Sequence, residues 1–112
     1  MAVLNRKEVL ERLGGDEELY ADICHIFLRD VPMMIERLHH ELEVGRLDIS
    51  TRYVYSIKSI ASNVGADDLM ELARTAEMAG RTGDAETLLL HLPKLEAAYK
   101  AVAPMLPSVK NG

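Results

Sequence analysis

Four histidines, one cysteine and a tyrosine–lysine pair are the groups through which this 112-residue chain could do chemistry. His39 and His40 are adjacent, hence about 100° apart on a helix, whereas two rings that chelate one metal from a helix sit four residues apart. Even with Glu36 and Glu43 close by, they give no metal site; His39 is expected to border the core and His40 to face water. His25 falls on the polar side of its helix beside Glu18, Asp22 and Arg29 and reads as solvated, and His91, just before Pro93, carries no motif. Cys24 stands alone, which excludes an internal disulfide and a cysteine-based zinc cluster and leaves a small buried apolar side chain. Met33, Met34, Met70, Met78 and Met105 read as core or edge fillers. There is no glycine-rich phosphate loop, GxSxG, HExxH or CxxC, so no catalytic signature, cofactor or metal is expected.

The stretch YVYSIKSIASNVGA, residues 53–66, holds the remaining candidates. With Tyr55 set at zero and about 100° added per residue, Ile49, Tyr53, Ile57, Ile60, Ala61 and Val64 fall between roughly 120° and 240° and form the buried face. Thr51, Arg52, Lys58, Ser59 and Ser62 lie within about 60° of Tyr55 on the other side. Tyr53 therefore points in and Tyr55 out. A ring projecting from short side chains beside one cation lets a partner's backbone come close, and Lys58 can attract an anionic group.

These residues need helices to place them, and the pattern supplies only helices. Apolar residues recur at three- and four-residue steps almost throughout, with no alternating β-branched run. A short first helix starts near Asn5, where Asn5 and Glu8 stand in capping-box order, and stops at Gly14 and Gly15. A second begins at Asp16 with Leu19, Tyr20, Ile23, Phe27 and Leu28 inward, and Pro32 interrupts it. A third runs from about Pro32 to Val44 with Ile35, Leu38 and Leu42 inward, because proline suits a first turn better than an interior one. The fourth spans about Asp48 to Val64 and is closed by Gly65; the fifth spans about Ala66 to Gly80 and buries Leu69, Leu72, Ala73 and Ala76. The last starts near Asp84, presents Leu88, Leu92, Leu95, Tyr99 and Val102, and contains Pro93, where a kink is expected. Pro104 and Pro107 end the fold, and residues 108–112 are expected to fray. Short connections make successive helices antiparallel, so the expected fold is all-α: an up-and-down four-helix bundle with one or two additional N-terminal helices.

At this point the chain resembles the histidine-containing phosphotransfer (HPt) family, whose fourth helix reads as histidine, any residue, leucine, lysine, glycine, two more residues and then often asparagine and Gly-Ala. Tyr55, Ile57, Lys58, Ser59, Asn63, Gly65 and Ala66 stand at those places. GGDEEL at 14–19, FLRDVP at 27–32, the LHHELEVG segment and LMELARTAEMAG at 69–80 are similar to its other landmarks, so the resemblance covers about residues 5–103. It implies a module that meets response-regulator receiver domains, with Lys58 near the phosphoryl group. Two departures stand out: Ser59 replaces the usual glycine, and Tyr55 replaces the phosphorylated histidine. An imidazole with a pKa near 6.5 keeps a neutral ring nitrogen at pH 7, whereas a phenol with a pKa near 10 stays protonated and needs a base, which no residue three or four positions away supplies. A phosphate ester on oxygen is also too stable to relay onward. No catalytic residue is expected.

Composition bounds the alternatives. A chain with 48% hydrophobic and 28% charged residues is ordinary globular usage, read here as a single domain over 1–112 with no membrane span. The N-terminus mixes charge into its apolar positions, unlike a secretory signal, so a cytoplasmic protein is expected. A net charge of −5 with interspersed signs argues against nucleic acid. The primary expectation is a docking module for a receiver domain or related signalling protein, through Thr51, Arg52, Tyr55, Lys58, Ser59 and Ser62. The alternatives are an active phosphotransfer protein, in which Tyr55 is introduced or another side chain carries phosphate, and a structural or oligomerising bundle. Oligomeric state is left open.

Overall fold

A computed structural model describes residues 3–107 of the chain. They form α1 (Arg6–Arg12), α2 (Glu17–Glu43), α3 (Leu47–Val64), α4 (Asp67–Arg81), α5 (Ala85–Val102) and a 3-10 turn at Ala103–Met105, with no strand. The expected fraying of residues 108–112 lies outside the described residues.

The first correction concerns Pro32. The predicted second and third helices are one helix, α2, and Pro32 lies inside it on an exposed face. Proline has no amide hydrogen, so the Leu28 carbonyl, four residues back, loses its helical donor. The Tyr99 hydroxyl of α5 donates to that carbonyl at 3.3 Å, and the Tyr99 ring stacks on Phe27 with centroids 5.4 Å apart. The helix therefore crosses Pro32 with its freed acceptor satisfied from a neighbouring element. Its 27 residues span about 40 Å at 1.5 Å per residue, matching the molecule's 41 Å long dimension. Likewise α5 runs unbroken across Pro93.

The helix ends follow local chemistry. Asp16 caps α2 by accepting from the Leu19 amide at 3.0 Å, and Asp84 caps α5 by accepting from the Thr87 amide at 3.0 Å. At α1, Asn5 Oδ1 accepts from the Glu8 amide at 3.4 Å, but the return arm of the capping box is missing: Glu8 accepts from the Asn5 side chain, and the Asn5 amide donates instead to the Gly65 carbonyl at 2.7 Å.

The four long helices pack in chain order, α5 returning to α2, around a core that includes Tyr20, Phe27, Leu38, Ile57, Leu69, Leu88 and Leu95. This is the all-helical bundle expected, with α1 laid across one end, where Val9 enters the core. Several apolar residues sit elsewhere than predicted. Leu19 is exposed, because Tyr20, Cys24, Phe27 and Val31 define the inward stripe of α2. Of the methionines read as core or edge fillers, Met33, Met78 and Met105 are exposed and Met34 and Met70 half-buried. His39 does not border the core; like His40 it is exposed, and its Nδ1 lies 3.4 Å from Glu43 Oε1.

The end of α3 is fastened by three residues, Arg12 and the N-cap Asn5 of α1 and Tyr20 of α2. A helix leaves its last carbonyls without intrahelical partners, and here the Ser62 carbonyl accepts from Arg12 at 3.4 Å, the Val64 carbonyl from the Tyr20 hydroxyl at 2.9 Å, and the Gly65 carbonyl from the Asn5 amide. Gly65 closes the helix at φ 82°, a left-handed conformation that glycine adopts without strain.

Candidate functional site

The azimuth of α3 decides which side chains are offered to a partner. Ser50, Val54, Ile57, Ala61 and Val64 are buried. The true inward stripe is thus turned by roughly 40–50° from the predicted one on a 100° wheel. Ile49, Tyr53 and Ile60 become half-buried margins, while Tyr55 is 50% exposed. Ser50 tolerates burial because its hydroxyl donates to the Arg46 carbonyl at 2.8 Å.

Tyr55 stands between two clefts. One, about 360 Å³, is lined by Thr51, Arg52, Tyr55, Ser56, Glu77 and Arg81. The other, about 280 Å³, is lined by Lys58, Ser59, Ser62, Asn63, Met70 and Arg74. All six residues predicted for the site therefore lie on one face, but Thr51 and Arg52 fall on one side of the ring and Lys58, Ser59 and Ser62 on the other. They are less open than a solvated ridge would be, since α4 packs alongside and leaves Thr51, Lys58, Ser59 and Ser62 half-buried. Thr51 is as much a packing residue as a surface one: its hydroxyl donates to the Leu47 carbonyl at 2.7 Å, and its side chain meets Gly80. A similar bond back along the helix is made by Thr75 on α4 and by Thr82 at its C-cap, whereas none ties up Ser59 or Ser62 among the described residues.

Glu77 organises the face. It is 4% exposed, and its two oxygens hold different cations: Oε1 accepts from Lys58 Nζ at 2.6 Å, and Oε2 lies 2.6 Å from the Arg81 guanidinium. Burying a carboxylate this deep is costly unless it is paired in this way. Lys58 Nζ is in turn 4.9 Å from the centroid of the Tyr55 ring, over its electron-rich face. The lysine is thus fixed between a buried anion and the aromatic ring. The sequence reading missed Glu77, because nothing in helical spacing links residue 58 to a residue 19 positions on. Arg74, Arg81 and Arg12 were missed for the same reason: their place along this face is set by the packing of α4 and α1. The one legible hint was the period of α4, which puts Glu77 one position after buried Ala76, on the margin of the apolar stripe.

Glu77 is the carboxylate that shares a cleft with Tyr55. Both Glu77 oxygens already serve cations, so this carboxylate is not a free base for the Tyr55 phenol. Away from the face, Tyr20 and Cys24 are buried together, and burial raises the pKa of both.

A family model described as Hpt domain matches residues 22–103. Among solved structures, the crystal structure of the histidine-containing phosphotransfer protein ZmHP2 from maize aligns with a TM-score of 0.78 and 16% identity, over 91% of this chain and 78% of that one. At that identity the likeness is one of fold. A comparison with curated proteins found no match.

Proposed function

The chain belongs to the Hpt-domain family, whose members are helical modules of phosphorelays, and from that premise we propose that it docks a response-regulator receiver domain without accepting its phosphoryl group. In this reading Tyr55 occupies the place of the family's phosphoacceptor histidine and enters the partner's phosphorylation cleft, with Thr51, Arg52, Lys58, Ser59 and Ser62 around it. The protein is a cytoplasmic docking module that engages a receiver and leaves its phosphate in place.

The observation that carries the reading is the setting of Tyr55: a half-exposed ring between two clefts, with the nearby Glu77 carboxylate taken up on both oxygens. A protonated phenol with no free base does not attack phosphorus at pH 7. The surface around it still has what recognition needs, an aromatic anchor flanked by short side chains and cations.

Binding to purified receiver domains of the same organism tests docking. Tyr55→Ala and Ser59→Arg are expected to weaken it about tenfold or more, and Lys100→Ala, on the α2–α5 side, to leave it unchanged. Incubation with a phosphorylated receiver tests the chemistry. Wild type is expected to take up no acid-labile phosphate and Tyr55→His to take it up. Label on the wild-type chain would overturn the non-acceptor reading, and absence of binding to every receiver would overturn docking.

A further inference from the structure

The two clefts beside Tyr55 differ from the rest of this acidic molecule. Between them they are lined by four cations, Arg52 and Arg81 on one side and Lys58 and Arg74 on the other, against two carboxylates, Glu77 within the clefts and Glu71, which pairs with Arg74 at 2.8 Å beside them. Arg12 extends the same edge, held against the Ser62 carbonyl. The whole chain carries a net charge of −5, so this face opposes the charge of its own protein. A face of that sign attracts a partner of the other, and cations already in place speed its encounter.

Cations on flexible stems lose conformational freedom when they bind, and a charge held in advance loses less. Here the holding group is Glu77, which reaches Lys58 with one oxygen and Arg81 with the other and so fixes one cation in each cleft.

Resting on the docking reading above, we infer that the partner presents carboxylates on both sides of the gap that admits Tyr55, and that Glu77 is a positioning residue that sets Lys58 and Arg81 to meet them. The inference has an unusual consequence. Glu77→Gln removes a negative charge from a positive face, so long-range attraction alone makes an acidic partner bind more tightly. Positioning makes it bind more weakly.

The experiment measures receiver affinity for the full chain at two ionic strengths. Raising salt from about 0.05 M to about 0.5 M is expected to weaken binding tenfold or more, and Arg81→Glu to do the same at low salt, while Lys100→Glu leaves affinity within about twofold. Glu77→Gln, with its fold checked by circular dichroism, is expected to weaken binding about fivefold, and adding Arg81→Ala to it to cost less than Arg81→Ala costs in wild type. Arg81 is exposed, so its variants keep the question open to test even if Glu77→Gln is poorly folded. Unchanged or tighter binding by a folded Glu77→Gln, or full additivity with Arg81→Ala, overturns the positioning role. Docking that depends on Tyr55 but is indifferent to salt and to Arg81→Glu overturns the acidic partner and leaves docking intact. Failure of every receiver to bind at low salt overturns the docking reading itself.

Discussion

At the scale of single residues, the contacts that matter most join positions far apart in the chain. Tyr99 reaches the Leu28 carbonyl that Pro32 leaves without a donor. Tyr99→Phe keeps the ring stacked on Phe27 and removes only the hydroxyl, so urea unfolding is expected to show a loss of about 1 kcal/mol, the usual worth of one such bond. Because Pro32 created the need, the loss is expected to shrink in Pro32→Ala, where residue 32 regains its amide. Glu77→Ala leaves Lys58 and Arg81 without their shared anion. Since Arg81 is largely exposed and Lys58 partly so, the expected cost is about 1–2 kcal/mol, below the 3–5 kcal/mol typical when a fully buried charge is abandoned. The outward bearing of Tyr55 was legible in the sequence because it depends only on the period of its own helix. The partner of Lys58 was not, because it depends on how α4 lies against α3.

At the scale of elements, glycines decide how near the helices approach. A Cβ on Gly80 would collide with the Thr51 hydroxyl oxygen and come within 3.1 Å of Leu88. Gly80→Ala is therefore expected to push α4 from α3 and destabilise the protein by about 1–3 kcal/mol in thermal or denaturant unfolding, with part of the loss recovered in a Thr51→Ala background. A Cβ on Gly65 would stand 2.6 Å from the Asn5 carbonyl oxygen, at a backbone angle that disfavours other residues. Gly65→Ala is expected to cost more than about 2 kcal/mol and to speed amide hydrogen exchange in α1 ahead of the other helices. Helix existence and most ends could be read from capping residues and glycines, which are local signals. The continuity of α2 could not: local proline rules favour a break at Pro32, and the group that removes the reason for one sits in α5. The same holds for the azimuth of α3, which Ser50 and Val54 set by facing the core where composition alone favoured Ile49 and Tyr53.

At the scale of the whole molecule, the buried phenols and thiol tie stability to alkaline pH. Burial raises the pKa of Tyr20, Cys24 and Tyr99, so the folded chain holds these protons after the unfolded chain has released them. Above roughly pH 9–10 the unfolded state binds fewer protons than the native one, and stability falls as pH rises; below that range the contribution is fully present. Denaturant midpoints measured from pH 7 to pH 11 are expected to drop on the alkaline side, and Tyr20→Phe to flatten the drop while lowering the value at pH 7 through loss of its bond to the Val64 carbonyl. The fastening of the α3 terminus by Arg12, Tyr20 and Asn5 reaches further than stability. Three hydrogen bonds at its far end oppose rolling of that helix about its own axis, and so help to hold the direction in which Tyr55 projects. Since the Tyr55 ring is half exposed and lies outside the core that this fastening secures, replacing it is expected to leave the denaturant midpoint nearly unchanged.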